Sequence, residues 1–571
     1  MTRFDVEHVP FRIDAVNARR GDRRLTNWPV VYAIDGERDI YVGETLNAVA
    51  RMRQHLDTSG KAHLRGIRIV VDDTFNKSVC LDLESHLIRW FSGDGRYQVL
   101  NRNFGIVDAD YYDRSRYRET FRAVFEELRA EGLFTRSINQ IENSDLFKLS
   151  PFKALNPDQA IAVEDILEGL FDDLRTGRES TIVVRGDPGT GKTIVGIYLM
   201  KLLRDIEAAD LGEAMNAETV FSEFFAEGYP ELLKDFKIGL VVPQLSLRAS
   251  IQEVFRRTPG LHKDMVLTPF QVGESAETFD LLIVDETHRL SQRASLASAR
   301  LNGKFPAINL QLFGTDDLTL TQLDWIREKS KHQVFLLDTG QRVRPADLPT
   351  DVLDALVEES RAAHRLYPLS SQMRVLAGHD YVAYVREILA GQRPQPRRFS
   401  GYELRLFDDL GEMRDAIRDR EAEHGLARLV AGYAFPWRSR ADCSAPDIDI
   451  DGVQMPWNRT TSDWISSPTS IDEVGSIHTV QGYDLNYAGV IIGGDLRYDP
   501  ARERLYFDRK SYFDKKGKQD NRMRGIRYDD EDLLAFVANI YAVLLTRGMR
   551  GTFVYVVDPQ LREHLRAYME S

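Results

Sequence analysis

Short apolar runs alternate with helical stretches along most of the chain from Leu155 onward. The runs are three to five residues long and rich in branched side chains, and they lie at 181–184, 239–242, 281–284, 334–337, 429–431, 490–492 and 553–557. Continuous apolar strands that alternate with helices are typical of a parallel sheet covered on both faces. The pattern therefore predicts an α/β fold with two doubly wound domains, at 151–350 and 351–571, and polar insertions in the second.

The first 112 residues show a different pattern, in which short strands and helices follow one another closely from Trp28 to about Gly105. They predict a small α+β domain at 1–112 with a charged lead-in. Beyond it, residues 114–135 place apolar side chains at helical spacing. These side chains are Phe121, Val124, Phe125 and Leu128. We interpret 113–150 as a helical linker to the first doubly wound domain.

Composition narrows the class of protein. Of the 571 residues, 43% are hydrophobic and 29% are charged, which is ordinary for a globular protein. No run of about 18 apolar residues occurs and the N-terminus lacks a signal-peptide pattern, so we expect no membrane span and a cytoplasmic location. Two cysteines, Cys80 and Cys443, are too few for a disulfide framework or a four-thiolate zinc site.

Net charge bears on the question of a nucleic-acid partner. The chain carries a formal net charge of -13, whereas phosphate binding favours a basic surface, so any cations that face phosphate must be local. The segment 509–527 is basic with interleaved aromatic residues, which suits phosphate contact and base stacking, with an exposed charged loop as the alternative. Two interpretations are open for the tryptophans of the other insertion, stacking on bases and packing in a core; these are Trp437, Trp457 and Trp464.

The sequence at 186–193, GDPGTGKT, fits the phosphate-binding pattern G-x-x-x-x-G-K-[ST] and lies between an apolar strand and a helical stretch, as the pattern requires. Backbone N–H groups of such a loop point at phosphate oxygens, and the helix N-terminus favours negative charge. We expect Lys192 to reach the β- and γ-phosphates of a nucleotide and Thr193 to hold Mg²⁺. The other loop residues of the predicted nucleotide site are Gly186, Pro188, Gly189, Thr190 and Gly191.

An acidic pair, Asp285 and Glu286, ends the apolar strand at 281–284. Nucleotide hydrolysis needs one carboxylate near the metal and another group that orients the attacking water. The pair supplies both, with Asp285 near Mg²⁺ and Glu286 at the water. A solvated acidic pair at a strand end is the alternative for these two residues alone.

These motifs, with others that follow in order, resemble the superfamily 1 helicases and, more closely, the bacterial Schlafen-like helicase group over residues 150–565. The resemblance implies two RecA-like domains, ATP with Mg²⁺, and a nucleic-acid partner, DNA in preference to RNA. It also implies further nucleotide-site residues: Gln159 for adenine, Gln341 as a γ-phosphate sensor, Arg374 in the fourth motif, Gln481 and Gly482 in the fifth, and Arg547 as an arginine finger in the sixth. Such an arginine stabilises phosphate charge only when the two domains close.

An ordered set of polar residues in the first domain resembles the GIY-YIG endonucleases over residues 28–105. The matching residues are Tyr32, Tyr41, Arg51, His55, Glu84 and Asn101. The resemblance implies an endonuclease in which Glu84 binds Mg²⁺ or Mn²⁺, Arg51 stabilises phosphate charge, and a tyrosine, or a water held by it and His55, acts as general base. Each residue also has a structural interpretation, as a strand aromatic or as part of a solvated helix face.

Together the two resemblances imply an ATP-dependent nucleic-acid translocase or helicase coupled to a metal-dependent endonuclease that cleaves DNA. By analogy, such a protein acts in bacterial anti-phage defence. Three alternatives stay open: a nucleotide-gated nuclease switch without translocation, an RNA-directed nuclease, and a DNA repair factor. A homo-oligomer, or a second subunit of a defence system, is left open as well.

Overall fold

The computed structural model describes residues 4–102, 110–209, 221–295, 299–338, 340–373, 375–442, 444–459, 464–480 and 484–569. Contacts divide the chain into two compact units. The first contains residues 1–164, 197–235 and 250–265, and the second contains 165–196, 236–249 and 266–571. Among the described helices, none is long and apolar enough to cross a membrane.

A mixed five-stranded sheet forms the centre of the first unit. Its strands are β1 (Phe4–Pro10), β2 (Val30–Asp35), β3 (Asp39–Thr45), β4 (Gly66–Asp72) and β5 (Gln98–Val99). Their order is β1-β4-β2-β3-β5, with β3 and β5 parallel and the other pairs antiparallel. The helices up to residue 150 are α1 (Ile13–Asn17), α2 (Arg23–Thr26), α3 (Ala48–Leu56), α4 (Lys77–Asp94), α5 (Arg114–Ala130), α6 (Ile138–Glu142) and α7 (Asp145–Lys148).

Helices cover both faces of this sheet. On one face Met52 of α3 is buried in a cluster with Ile34, and on the other Leu83 of α4 is buried in a cluster with Val42. Asn76 caps the N-terminus of α4 with its side-chain oxygen, which satisfies a backbone N–H of the first turn. The helices α3 and α4, which carry predicted polar residues of this unit, therefore pack on opposite faces of the same strands.

The segment interpreted as a linker belongs instead to the core of the first unit. The apolar stripe of α5 is buried in the same cluster as α4, at Phe121, Val124, Phe125 and Leu128. The ring centroid of Phe125 lies 5.3 Å from that of Trp90 and 4.3 Å from that of Phe134. An amphipathic helix is stabilised mainly by packing of its apolar face, so α5 docks onto the apolar surface of α4.

The first of two parallel sheets in the second unit has six strands. They are β6 (Ser180–Gly186), β7 (Ile238–Val241), β8 (Val266–Leu267), β9 (Phe279–Val284), β10 (Ser330–Leu337) and β11 (Leu366–Leu369). Their order is β11-β6-β10-β9-β7-β8, and every pair is parallel. β11 lies beyond residue 350, so the sheet extends past the predicted domain boundary. This edge strand is short and contains Pro368, which an edge tolerates but which weakens its strand pattern in the sequence.

The second parallel sheet has five strands. They are β12 (Glu403–Phe407), β13 (Ala427–Ala431), β16 (Val474–Ser476), β17 (Leu485–Ile492) and β20 (Gly548–Val556). Their order is β12-β20-β17-β13-β16, and every pair is parallel. The insertions hold two antiparallel pairs, β14 (Ile448–Ile450) with β15 (Val453–Met455) and β18 (Leu496–Asp499) with β19 (Arg504–Phe507). Two parallel sheets with helices between their strands are consistent with RecA-like domains.

Helices connect the strands of both parallel sheets. From residue 157 onward they are α8 (Pro157–Thr176), α9 (Lys192–Glu207), α10 (Tyr229–Leu232), α11 (Leu245–Arg257), α12 (Pro269–Glu274), α13 (Ala299–Phe313), α14 (Gln322–Glu328), α15 (Thr350–Ala362), α16 (His379–Leu389), α17 (Leu410–His424), α18 (Ile477–Val480), α19 (Asp530–Leu545) and α20 (Pro559–Met569). Trp457 and Trp464 are buried beside the second sheet, and Trp464 Nε1 donates to Glu473 Oε2 at 2.9 Å. These two tryptophans therefore pack in the core and do not present a stacking surface.

Replacing Phe125 by alanine tests whether α5 is part of the core. We expect Phe125→Ala to lower the free energy of unfolding by about 3 to 5 kcal/mol, because a buried ring is removed from between α4 and α5. Urea denaturation followed by circular dichroism measures the change. Arg122→Ala, on the exposed side of the same helix, is the matched control and is expected to stay within about 0.5 kcal/mol. Equal small effects of the two substitutions would support a linker instead.

Candidate functional site

The phosphate-binding loop connects β6 to α9, and α9 begins at Lys192. Gly189 and Gly191 have φ angles of 87° and 81°, a left-handed backbone that glycine adopts without steric cost. The ammonium group of Lys192 is buried and donates to the carbonyl oxygens of Gly186 and Asp187 at 2.7 and 2.9 Å. The loop therefore wraps around its own lysine at the N-terminus of α9.

A side-chain hydrogen bond joins the loop to the acidic pair. Thr193 Oγ1 donates to Asp285 Oδ2 at 2.9 Å at the end of β9. Burial, followed by the charge of Glu286, raises the pKa of Asp285 to about 7. Mg²⁺ prefers hydroxyl, carboxylate and water oxygens, and a cation here would relieve the penalty of a buried carboxylate. Thr193 and Asp285 therefore fit a magnesium ion.

Glu286 is held as a carboxylate by its neighbour. Its backbone is left-handed, with φ 49°, which is uncommon for a residue other than glycine. His288 is completely buried, and its Nε2 lies 3.0 Å from Glu286 Oε2. Burial raises the pKa of Glu286, but the contact with His288 and the charges of Arg289 and Lys192 together outweigh it and the net shift is downward. Glu286 is thus ionised beside Asp285, the state that accepts a proton from water.

Asp338 gathers three side chains next to the loop. It is buried, accepts a hydrogen bond from Gln341 Nε2 at 2.7 Å, and lies 3.7 Å from Lys192 Nζ. Arg386 Nη2 lies 3.5 Å from its other oxygen. Burial raises the pKa of Asp338, but the charges of Lys192 and Arg386 more than offset this and the net shift is downward. The predicted sensor Gln341 is fixed beside the lysine by an aspartate that the motif alone did not single out.

The remaining predicted nucleotide-site residues are Gln159, Arg374, Gln481, Gly482 and Arg547. Gln159 belongs to the first compact unit, where its Oε1 accepts a hydrogen bond from Asn156 N at 3.2 Å near the start of α8. Arg547 is buried between α19 and β20 in the second unit. Arg374, Gln481 and Gly482 lie outside the described residues. The structure therefore brings together the loop, the acidic pair and Gln341.

A cavity of about 780 Å³ opens beyond the carboxyl ends of β7 and β8, the edge at which open α/β sheets bind ligands. Five cations line it together with a single carboxylate, Glu274; the cations are Arg248, Arg289, Arg300, Lys304 and Arg344. Phe270, Ser246 and Thr268 add an aromatic surface and hydroxyl groups. The cavity, here called the cationic cavity, is a local positive concavity on a chain whose net charge is -13.

Arg289 supplies buried cationic donors to the lining of the cationic cavity. It is 5% exposed, and its Nε and Nη2 have no hydrogen-bond partner among the described residues. Burial and the charge of Arg344 lower its pKa to about 10, so the guanidinium is still charged at neutral pH. Buried donors without partners are costly, so an anion that satisfied them would bind favourably. The sequence motifs missed this cavity because its residues follow two short strands and form no contiguous pattern.

In the first unit, four predicted residues lie close together. The ring centroids of Tyr32 and Tyr41, on adjacent antiparallel strands, are 6.3 Å apart, and the His55 ring lies 4.8 Å from Tyr41. Tyr32 Oη and His55 Nε2 are 2.8 Å apart, and Arg51, one helical turn earlier, interacts with both tyrosines. Gly43 lies opposite Tyr32, and a Cβ atom there would collide with the tyrosine hydroxyl. Glycine at this position therefore allows Tyr32 to reach His55.

Lys61, which the resemblance did not include, contacts both His55 and Tyr41. Its Nζ lies 2.9 Å from His55 Nδ1 and 3.6 Å from the centre of the Tyr41 ring. An ammonium group only donates, so Nδ1 accepts, and the hydrogen of the neutral ring lies on Nε2, towards Tyr32. Burial, then the charges of Lys61 and Arg51, lower the pKa of His55 to about 3. The imidazole is therefore neutral at physiological pH.

Glu84, on α4, is half-buried, and burial followed by the charge of Glu44 raises its pKa to about 8. Glu44 Oε2 is itself buried with no hydrogen-bond partner in the described part of the chain. Glu44 Oε1 accepts a bond from Lys77 Nζ, so a divalent cation here would be held by Glu84 and the buried Oε2 of Glu44, with water completing its shell. Groups of three or more Asp, Glu, His or Cys residues suited to a metal are absent from the described residues.

Asn101 serves the backbone of the strand that carries Tyr41. Its Nδ2 donates to the carbonyl oxygen of Val42 at 2.7 Å, and its Oδ1 accepts from Val42 N at 3.1 Å. The amide is therefore occupied by β3, which makes it a positioning residue in this structure.

Several cations of the basic segment 509–527 make hydrogen bonds within the fold. Arg509 Nε donates to Asp530 Oδ1 at 2.8 Å, and Arg524 Nη1 donates to Gln292 Oε1 at 2.6 Å. Lys518 Nζ donates to the carbonyl oxygen of Arg509 at 3.1 Å. These bonds give three of the eight cations in this segment a partner within the fold.

Comparison with known proteins agrees with the geometry of the second unit. Residues 179–558 match the model of Schlafen group 3, DNA/RNA helicase domain. The uncharacterized protein YPL245W of Saccharomyces cerevisiae is 26% identical over 414 residues, which cover 67% of this chain and 83% of the yeast protein. The family match includes the loop, the acidic pair, Gln341 and the cationic cavity, and it spans more than half of the chain. The chain therefore belongs to the Schlafen group 3 DNA/RNA helicase-domain family.

Proposed function

We propose that this protein hydrolyses ATP with Mg²⁺ and uses the energy to move along a single strand of nucleic acid, DNA in preference to RNA. Family membership indicates nucleic-acid-related ATPase activity and implies nucleic-acid binding. The observation that carries the finer proposal is the hydrogen bond between Thr193 and Asp285. It joins the phosphate-binding loop to the strand end that carries Glu286, so binding and hydrolysis share one edge of a sheet.

In the proposed reaction, the loop N–H groups and Lys192 bind the phosphates, and Thr193 and Asp285 hold Mg²⁺. The bound ion supplies charge neutralisation at the phosphates. Glu286, kept ionised by His288, orients the attacking water and accepts its proton. Lys192 and Thr193 lie at the loop, and Asp285 and Glu286 lie at the end of β9. All four groups are therefore at one edge of the same sheet.

The response to hydrolysis is assigned to residues beside and beyond the loop. Gln341, fixed by Asp338 next to Lys192, is placed to sense the terminal phosphate. Arg547, and Arg374 outside the described residues, are expected from the resemblance to stabilise phosphate charge when the two parallel-sheet domains close. Closure and reopening then turn ATP hydrolysis into motion along the strand.

The cationic cavity is the proposed site for the nucleic-acid strand. The unpaired donors of Arg289 suit a phosphate oxygen, and Phe270 offers a ring to a base. With few cations involved, we expect modest affinity that falls with salt at a slope of only a few phosphates.

A second proposed activity is a metal-dependent endonuclease in the first unit, acting on DNA delivered by the motor. The arrangement of Tyr32, His55 and Lys61 supports it, because His55 Nε2–H donates to Tyr32 Oη. Burial raises the pKa of Tyr32, and the charge of Arg51 opposes this shift, so a phenolate would depend on its cationic surroundings. The residues that would hold a metal are Glu84 and Glu44, and the ion would polarise the scissile phosphate.

A nucleotide-gated nuclease without translocation, an RNA-directed nuclease and a DNA repair factor stay as alternatives. The role in anti-phage defence stays an expectation from the resemblance.

Two substitutions separate nucleotide binding from hydrolysis. We expect Lys192→Ala to lose ATP binding, because the ammonium group at the phosphates is removed, and Glu286→Gln to keep binding but to lower kcat by about a hundredfold or more. Equilibrium binding of ATP with Mg²⁺ measures the first effect, and phosphate release with and without single-stranded DNA or RNA measures the second. Glu358→Gln, on an exposed face of α15, is the control. Hydrolysis that neither nucleic acid stimulates would contradict translocation, and cleavage that survives only in Glu286→Gln would favour a switch.

Neutralising the cationic cavity weakens nucleic-acid binding. We expect Arg289→Gln and the exposed Arg300→Gln each to lower the affinity for a single-stranded oligonucleotide by about tenfold and to reduce the salt slope by about one. Fluorescence anisotropy over a series of salt concentrations measures this, with Arg361→Gln on α15 as the control. An unchanged slope in both variants would place the strand elsewhere. The same titration with RNA tests the preference for DNA.

The nuclease proposal predicts cleavage that depends on a metal and on Glu84. We expect a chelator or Glu84→Gln to lower the rate of plasmid cleavage by about a hundredfold or more, whereas Glu119→Gln on the exposed face of α5 has no effect. Since the pKa of His55 is lowered to about 3, the ring stays neutral between pH 5 and 8, and its protonation should produce no rate step near pH 6.5. If the Glu84→Gln variant cleaved plasmid at the wild-type rate, the proposed nuclease activity of the first unit would be contradicted.

A further inference from the structure

Arg386 extends from the second parallel-sheet domain to the phosphate-binding loop of the first. It lies on α16, whose residues Tyr381, Val385 and Ile388 are buried in the hydrophobic core beside the second sheet. Its guanidinium Nη1 donates to Asp187 Oδ1 of the loop at 2.6 Å. None of the helicase-like motifs considered above includes this arginine.

The guanidinium also lies beside the lysine of the loop. Arg386 Nη2 is 3.5 Å from one oxygen of Asp338, and Lys192 Nζ is 3.7 Å from the other oxygen. A Cβ atom on Gly340 would approach the same guanidinium to 2.7 Å, so glycine leaves room for it. Arg386 is thus separated from the proposed β- and γ-phosphate ligand by a single carboxylate.

The bond between Arg386 and Asp187 is weak enough for a nucleotide phosphate to replace Asp187 as the partner of the arginine. The two side chains are 32% and 29% exposed, and ion pairs of such exposure are weak because solvent screens them. A triphosphate carries more negative charge than one carboxylate and accepts bidentate hydrogen bonds from a guanidinium. A nucleotide in the loop would therefore compete for this arginine on favourable terms.

The geometry points to Arg386 as a residue that leaves Asp187 and contacts the terminal phosphate when ATP binds, which carries nucleotide state to α16. The inference rests on the proposed ATPase. Arg386 would act as a further phosphate ligand supplied by the second domain, and Asp187 would hold it in place before nucleotide arrives. A plain structural tether between the two domains is the competing interpretation, and the two differ in nucleotide selectivity.

Equilibrium binding of ADP and of a non-hydrolysable ATP analogue, both with Mg²⁺, tests the inference. If Arg386 contacts the terminal phosphate, Arg386→Ala lowers the affinity for the analogue by about tenfold or more and leaves that for ADP within about twofold. Arg386→Lys, which keeps the charge but loses the planar fork, gives an intermediate loss. Asp187→Asn, which releases the arginine, raises the affinity for the analogue relative to ADP.

Controls separate the possible failures. Arg393→Ala removes an exposed arginine that pairs with Glu503 and is expected to change neither affinity. If the wild-type chain bound neither nucleotide, the ATPase proposal itself would fail. If it bound both, and the ratio of the two affinities stayed the same in Arg386→Lys and Asp187→Asn, Arg386 would be a tether and the inference would be overturned. These two substitutions retain much of the side-chain volume, so they keep the test valid even if Arg386→Ala does not fold.

Discussion

Four ionisable side chains are buried at one edge of the first parallel sheet, and the surrounding structure has to compensate their charges. Lys192, Asp285, Glu286 and Asp338 are each at most 9% exposed, and one ammonium group faces three carboxyl groups. Charges removed from water must be paired or neutralised, and the opposite pKa shifts of Asp285 and Glu286 show how the fold distributes the imbalance. Arg386 beside Asp338 offsets part of the excess negative charge, and an added cation beside Asp285 would offset the remainder.

In the first unit, the surroundings of His55 and Glu84 favour the neutral forms of these groups, whereas around the loop they favour ionised acids. There burial, followed by the charge of Lys61, lowers the pKa of His55, and burial, followed by the charge of Glu44, raises the pKa of Glu84. Around the loop, His288 and Lys192 instead keep acids ionised. In both places burial and the charges of neighbouring residues together set the protonation state of a group.

Features that depend on neighbouring residues can be predicted from the sequence, whereas contacts between residues far apart in the chain cannot. Seven apolar runs predicted strands of both parallel sheets, and the loop pattern placed Lys192 and Thr193, because backbone geometry and chemistry there depend on neighbouring residues. Asp338 and Arg289 lie within recognised motif segments and Arg386 does not, but the contacts that give all three their roles join positions far apart in the chain, so the sequence alone did not assign those roles. The stripe of α5 predicted a helix correctly, but a stripe does not reveal which surface it will cover.

The path between the two parallel-sheet domains begins at the loop itself. Gln372 Nε2 donates to the carbonyl oxygen of Pro188 at 2.7 Å, and Met373 N donates to that of Gly189 at 2.9 Å. β11 ends at Leu369, so only two residues separate the edge of the first sheet from this anchor. The loop is therefore bonded directly to the residues that follow the edge strand, so it cannot shift without moving or breaking these two hydrogen bonds.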